Sequence, residues 1–264
     1  MSGAEQTAWR ASVRSKGCLI TLLGRSFMGR TIFFLLVFLV FGAWHTPAQT
    51  ISPVIVEYQQ KADGRFQVTN DSDTPLAVVL EPESFRVDSK GNPTFYPLDP
   101  AIHLDLSSSS FRLAPHQTYM VFYKATADRL PAWFTIYATV SGKRTEQGIQ
   151  VAIHLPHTVY LLTKKQMGSE SVVWSKAEFS PSSGQIDGLV ANQGSSFARV
   201  TDISVTDSAG KKQEFTGFPF FPGQQREIEL PWNNPDPPKS IELQFSHFTS
   251  SSGIRVSASA PASK

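Results

Sequence analysis

Over most of the chain, apolar side chains recur at every second position in short runs, and Gly, Pro, Asn, Asp and Ser break those runs apart. The clearest run is Gly148 to Leu162, GIQVAIHLPHTVYLL, in which Ile149, Val151, Ile153 and Leu155 fall on one face and Gln150, Ala152 and His154 on the other. Period two over that length predicts a β-strand with one apolar face. Pro156 removes a backbone donor and is expected to interrupt the ladder before a second apolar run, Val159 to Leu162. The same alternation marks Val54, Val56 and Tyr58, then Phe66 and Val68, then Leu76, Val78 and Leu80, then Phe85 and Val87. Tyr119 to Tyr123 and Trp133 to Val140 are apolar on both faces, the pattern of central sandwich strands. Residues 94–106, rich in proline, read as irregular, and Ser107 to Ser110 as exposed loop.

A second series follows. Val172 and Trp174, Ile186 to Val190, Ala198 to Val205, Ile228 with Leu230, and Ile241, Leu243 and Phe245 each predict a strand. Phe215, Phe218, Phe220 and Phe221, interrupted by Pro219 and Pro222, are expected in core and turn positions rather than on a binding face. Short strands with turn signals between them predict an all-β chain of two immunoglobulin-like β-sandwich domains in tandem, at 51–163 and 166–250, with a flexible tail at 251–264. The stretch 148–162 closes the first domain and leads into the second.

Composition narrows the function. The 264 residues include 18 Pro and 17 Gly, and the lone cysteine, Cys18, excludes a disulfide, a zinc cluster or thiol chemistry in the body. Ile32 to Phe41 is continuously apolar but short for a membrane span. Arg30 precedes it, and Thr46-Pro47-Ala48 supplies small residues for cleavage. Residues 1–48 are therefore expected to be a secretory signal peptide; Met28 would itself open a compact one, and an uncleaved signal anchor is the competing expectation. No cysteine follows the run to carry a lipoprotein anchor. Arg10, Arg14, Lys16, Arg25 and Arg30 against Glu5 give those 48 residues +4 of the chain's total of +2, which leaves −2 for the body. A near-neutral body without a basic block argues against nucleic acid as partner. There is no Gly-x-Ser-x-Gly, P-loop or His-Glu-x-x-His, so neither an enzyme nor a cofactor is expected. His154 and His157 stand three apart on a strand, which does not aim them at one metal.

The order of elements resembles the periplasmic pilus chaperones of the PapD-like group. Phe66 to Pro75 resembles that family's second strand and turn, Phe111-Arg-Leu-Ala-Pro115 its arginine-leucine-proline segment, and Val151 to Leu162 its long last strand before the hinge. Gly188 to Asn192 and Pro219 to Gly223 are similar to stretches of its second domain. The resemblance implies a periplasmic, non-enzymatic chaperone in fimbrial biogenesis. Its partners would be secreted pilin-type subunits and an outer-membrane usher. It also implies donor-strand complementation, in which Ile149, Val151, Ile153 and Leu155 would enter an incomplete subunit sandwich while main-chain pairing adds a strand. Those four positions span roughly 20 Å, and burying them is worth about 6–12 kcal/mol before ordering costs. The family also anchors the subunit's terminal carboxylate with an arginine near the first strand and a lysine in the last. Here those places fall at Pro53 or Val54 and at His157, so His157 is the candidate anchor by resemblance, although an ordinary histidine is mostly uncharged at neutral pH. The departures leave a second possibility open: an exported binding or scaffold protein with the same fold and no subunit site.

Overall fold

The computed structural model of the protein describes residues 49–142 and 152–257. The first sandwich opens with β1 (Gln49–Ser52) and β2 (Ile55–Gln59), parted by Pro53-Val54. Then come β3 (Ala62–Asn70), β4 (Leu76–Val87), β5 (Pro93–Pro97), β6 (Ile102–Leu106), β7 (Ser110–Leu113), β8 (Thr118–Ala127), β9 (Ala132–Ser141) and β10 (Ala152–Leu162). One sheet has the order β1-β3-β8-β6; the facing sheet has the order β2-β10-β9-β4-β5, with β7 also on β4. Neighbours run antiparallel except β2 and β10, which are parallel with Thr158 opposite Ile55. Inward side chains from both sheets fill the core: Phe66, Val68, Val121 and Tyr123 face Val78, Phe134, Ile136, Val159 and Leu161. Asn70, the last residue of β3, is fully buried. Its amide donates to the carbonyls of Thr74 (2.8 Å) and Ala114 (3.0 Å), which ties the following turn to the strand end.

The second sandwich comprises β11 (Val172–Ser180), β12 (Gln185–Asn192), β13 (Ala198–Asp207), β14 (Lys212–Thr216), β15 (Pro219–Phe220), β16 (Gln225–Pro231), β17 (Pro238–Phe245), β18 (Thr249–Gly253) and β19 (Arg255–Val256). Its sheets are β16-β12-β11-β19 and β14-β13-β17-β18, with β15 on β13. Ile186, Val190, Val205, Phe220, Ile241 and Leu243 are its most deeply buried apolar side chains. Asn192 repeats the role of Asn70, donating to Ser196 and Phe220 carbonyls while its own oxygen accepts from Gly194 N–H.

Several expectations need correction. Residues 94–106 are not irregular: most of them belong to β5 and β6, the outermost strands of their sheets, where proline's missing donor is tolerated. β8 is not covered on both faces, since Phe122 is 54% and Met120 36% exposed on the outer side of its sheet. Pro156 does not interrupt its strand. β10 runs straight through it, with Pro156 opposite Tyr137 of β9. The small residues after 250 do not all fray, because β18 pairs with β17 and β19 runs parallel to β11, taking the second sandwich out to Val256. The signal segment 1–48 lies outside the described residues. No helix among those described is long and apolar enough to cross a membrane.

Candidate strand-lending edge and the inter-sandwich cleft

β10 is antiparallel to β9 from Ala152 to Leu161, but β2 covers its other side only at Thr158–Leu162. Thr158 N–H donates to the Val54 carbonyl (2.7 Å), so that side chain's backbone group faces the β2 side. In an extended strand the facing alternates, which turns the backbone groups of Pro156, His154 and Ala152 the same way. Among the described residues no strand pairs with them there. The missing N–H of Pro156 belongs to this open side, and for that reason the β9–β10 ladder survives the proline.

The side chains of β10 form one continuous inward row. Leu161, Val159 and His157 are fully buried, Leu155 packs half-buried on the core, and Ile153 is 40% exposed. The row thus runs out of the core and into the open where β2 ends. Val54 and Ile55, at that end of β2, are also about half exposed, at 48% and 49%. Ile149 and Val151 lie outside the described residues, so the structure places two of the four proposed donor-strand side chains. His154 points the other way, its Nδ1 3.1 Å from the Thr139 hydroxyl, so it and His157 face opposite sides of the strand.

His157 is not a cleft residue. It is fully buried, its ring stacked on Phe66 at 4.6 Å between centroids. Nδ1 lies 2.6 Å from the Pro53 carbonyl and so carries the proton of that bond; Nε2 lies 3.0 Å from the Tyr123 hydroxyl, itself 3.3 Å from the Tyr58 hydroxyl. Gly64 makes the space for this chain, because a Cβ there would strike both tyrosine hydroxyls. Burial pushes the imidazole below its ordinary pKa, partly offset by the Pro53 bond, and burial pushes the Tyr123 phenol up. A neutral ring with both nitrogens occupied offers nothing to a carboxylate, which corrects the expected anchor. Sequence position put His157 on the strand, but only side-chain parity shows that it shares the row of Val159 and Leu161.

The outward row of β10 meets the second sandwich. Tyr160 packs with Phe85, Phe197 and Phe221 in a separate buried cluster, flanked by Val87, Trp133 and Leu162. Phe221, expected in the second core, belongs to this junction. Arg199 lies over the Tyr160 ring (5.2 Å to the centroid), and its Nε donates to Glu57 of β2 at 2.9 Å. The turn between β4 and β5 is held by a bond from Glu227 N–H to the Ser89 carbonyl (2.8 Å), by one from Ser89 Oγ to Glu227 (2.6 Å), and by Gln224 donating to the Asp88 carbonyl. Beside these contacts lies a cleft of about 300 Å³, whose walls include Phe85, Tyr137, Pro156, Thr158, Tyr160 and Arg226. The two arginines at the junction, Arg199 and Arg226, are absent from the sequence expectation. Both come from the second sandwich, where nothing in local periodicity points across to the first.

No family model matches the chain, and the search of curated proteins found no match. Solved structures do match. YadV chaperone aligns over 78% of this chain and 98% of its own at 13% identity, with a TM-score of 0.50. The class 5 fimbriae chaperone CfaA aligns over 76% and 93% at 12% identity and a TM-score of 0.49. The SafB chaperone with SafA pilin, from Salmonella enterica, aligns over 80% and 98% at 12% identity and a TM-score of 0.48. The class this defines is a fold: paired β-sandwiches of the kind found in YadV chaperone.

Proposed function

We propose that the protein is an exported chaperone that caps incomplete β-subunits of the pilin type by lending them the open edge of β10. The observation that carries this reading is the inward row of β10, which leaves the core at Leu155 and Ile153 where β2 stops covering the strand. A bare strand edge is a pairing template, and an apolar row continued along it can enter a partner's groove. Ile149 and Val151 extend the same alternation in the sequence. The fold shared with YadV chaperone supports the reading. Residues 1–48 would direct export to the periplasm, and an outer-membrane usher would receive the loaded subunit. No cofactor or catalytic group enters.

The test is capture. The mature chain from Gln49, tagged and expressed in its own host, is purified beside Ile153→Asp, and co-purifying proteins are identified by mass spectrometry. A small secreted β-protein present with the wild type and lost with the variant is the expected result; its equal retention by Ile153→Asp refutes strand lending. The burial of His157 favours a second reading. A chain without the basic anchor of the resembled family could use the same two sandwiches as an exported binding or scaffold protein, and then no such subunit is captured.

A further inference from the structure

The first strand changes sheets within two residues. Ser52, the last residue of β1, pairs with Gln67 of β3 in one sheet, and Ile55, the first of β2, lies opposite Thr158 of β10 in the other. Both carbonyls of the crossover are held by consecutive residues of β10. The Val54 carbonyl accepts from the Thr158 backbone at 2.7 Å, and the Pro53 carbonyl from the His157 side chain at 2.6 Å. A longer β2 in the same parallel register would set Pro53 opposite Pro156, where the ladder requires an N–H at 156 that proline lacks. Pairing therefore has no rung to continue on. The carbonyl that follows is satisfied by a side chain reaching through the core.

We infer that His157 is a positioning residue, whose bond to the Pro53 carbonyl fixes where the first strand leaves β10 and so sets how much of the Ala152–Pro156 edge stays open to a partner. The inference rests on the strand-lending reading for its purpose, but its geometry belongs to the chain alone. The rest of the network serves it. Tyr123, itself bonded to the Tyr58 hydroxyl, occupies the far nitrogen, Gly64 leaves the two tyrosines room, and Phe66 fixes the plane of the ring. The ring thus has one orientation, with Nδ1 toward the crossover.

Two near-isosteres separate this role from core filling. In His157→Asn the amide nitrogen falls near the place of Nδ1 and keeps a donor for Pro53. In His157→Gln it falls near Nε2, toward Tyr123, and the Pro53 donor is lost. Tyr123→Phe removes the far hydroxyl and leaves the Pro53 bond. Residue-resolved amide exchange by NMR on the mature chain reads the Thr158 N–H, the rung beside the crossover, with Val78 of β4, paired on both sides and away from His157, as reference. Thr158 is expected to exchange about five- to tenfold faster in His157→Gln, the factor that loss of one buried hydrogen bond implies. It should stay within about twofold of wild type in His157→Asn and Tyr123→Phe, and Val78 should be unchanged in all three. Equal acceleration in all three variants, or in none, overturns the proposal. Should His157→Gln fail to fold while His157→Asn folds, the Pro53 donor is again the difference and the proposal stands; if neither folds, His157 is core packing and the proposal falls. Exchange is read without a partner, so a failure to capture any subunit sinks the strand-lending reading and leaves this result untouched.

Discussion

The two halves of β10 share a neighbour, a sheet and an alternation, yet they differ in what lies on their other side. Thr158–Leu162 has β2 beside it and a sealed core beneath, whereas Ala152–Pro156 has β9 on one side and, among the described residues, no strand on the other. The inward row is the same kind of row in both, and its burial is decided by the lateral strand. Apolar surface is worth about 25 cal/mol per Å² when removed from water, so Leu161 contributes its whole side chain to folding, while Ile153, 40% exposed, leaves part of its surface in water. The same chemical pattern is sealed at one end and partly bare at the other.

The comparison can be broken at either end. Leu161→Ala is expected to cost about 2–5 kcal/mol of folding stability, since it opens a cavity at a fully buried site. Urea denaturation should show it as a lowered midpoint, and a loss under 1 kcal/mol would mean that the covered half is less sealed than described. At the boundary between the halves, His157 ties stability to pH. Its folded pKa lies below the unfolded value near 6.5, so the unfolded chain takes up the proton first. Its contribution is fully present above that pH and is lost as pH falls through it toward the depressed folded pKa. The denaturation midpoint should therefore fall less between pH 7.5 and pH 5 in His157→Asn than in wild type. An unchanged slope would show that the ring is more hydrated than its burial implies.

Smaller effects sharpen the picture. Glu57 ties β2 to Arg199, and both side chains are about one-third exposed, so solvent screening limits Glu57→Ala to about 0.2–1 kcal/mol. Raising salt should shrink that difference between variant and wild type. Ile153→Ala should change stability by no more than about 0.5 kcal/mol, because its site is half open. Its consequence should appear in subunit capture instead. A thermal shift as large as that of Leu161→Ala would place Ile153 in the core and remove it from the offered edge.

Much of the scaffold was legible before any coordinates. Alternation located β3, β4, β9, β12, β13 and β17, and Gly210 marked the β13–β14 turn, where its φ is +87°. What failed did so for identifiable reasons. β5 and β6 hide among prolines because edge strands tolerate residues that a central strand rejects. Phe122 and Met120 look like core because an apolar residue on an outer face obeys the same period as one inside. β1 escaped notice because the strand crosses between sheets at Pro53, and a crossover is defined by partners far away in the chain.

The sequence by itself determined that the chain is all-β, that it forms two sandwiches, and that one strand near the domain boundary carries an unusually regular apolar row. Period-two patterning is a local property, fixed by the backbone's pleat and readable from neighbours along the chain. Only the tertiary structure decided that Pro156 aims its missing donor at an open side, that His157 is sealed in the core against Pro53 and Tyr123, and that Tyr160 and Phe221 meet between the sandwiches. Those outcomes depend on which strand lies beside which. Lateral pairing is set by contacts between residues as distant as Pro53 and His157, and no local period records them.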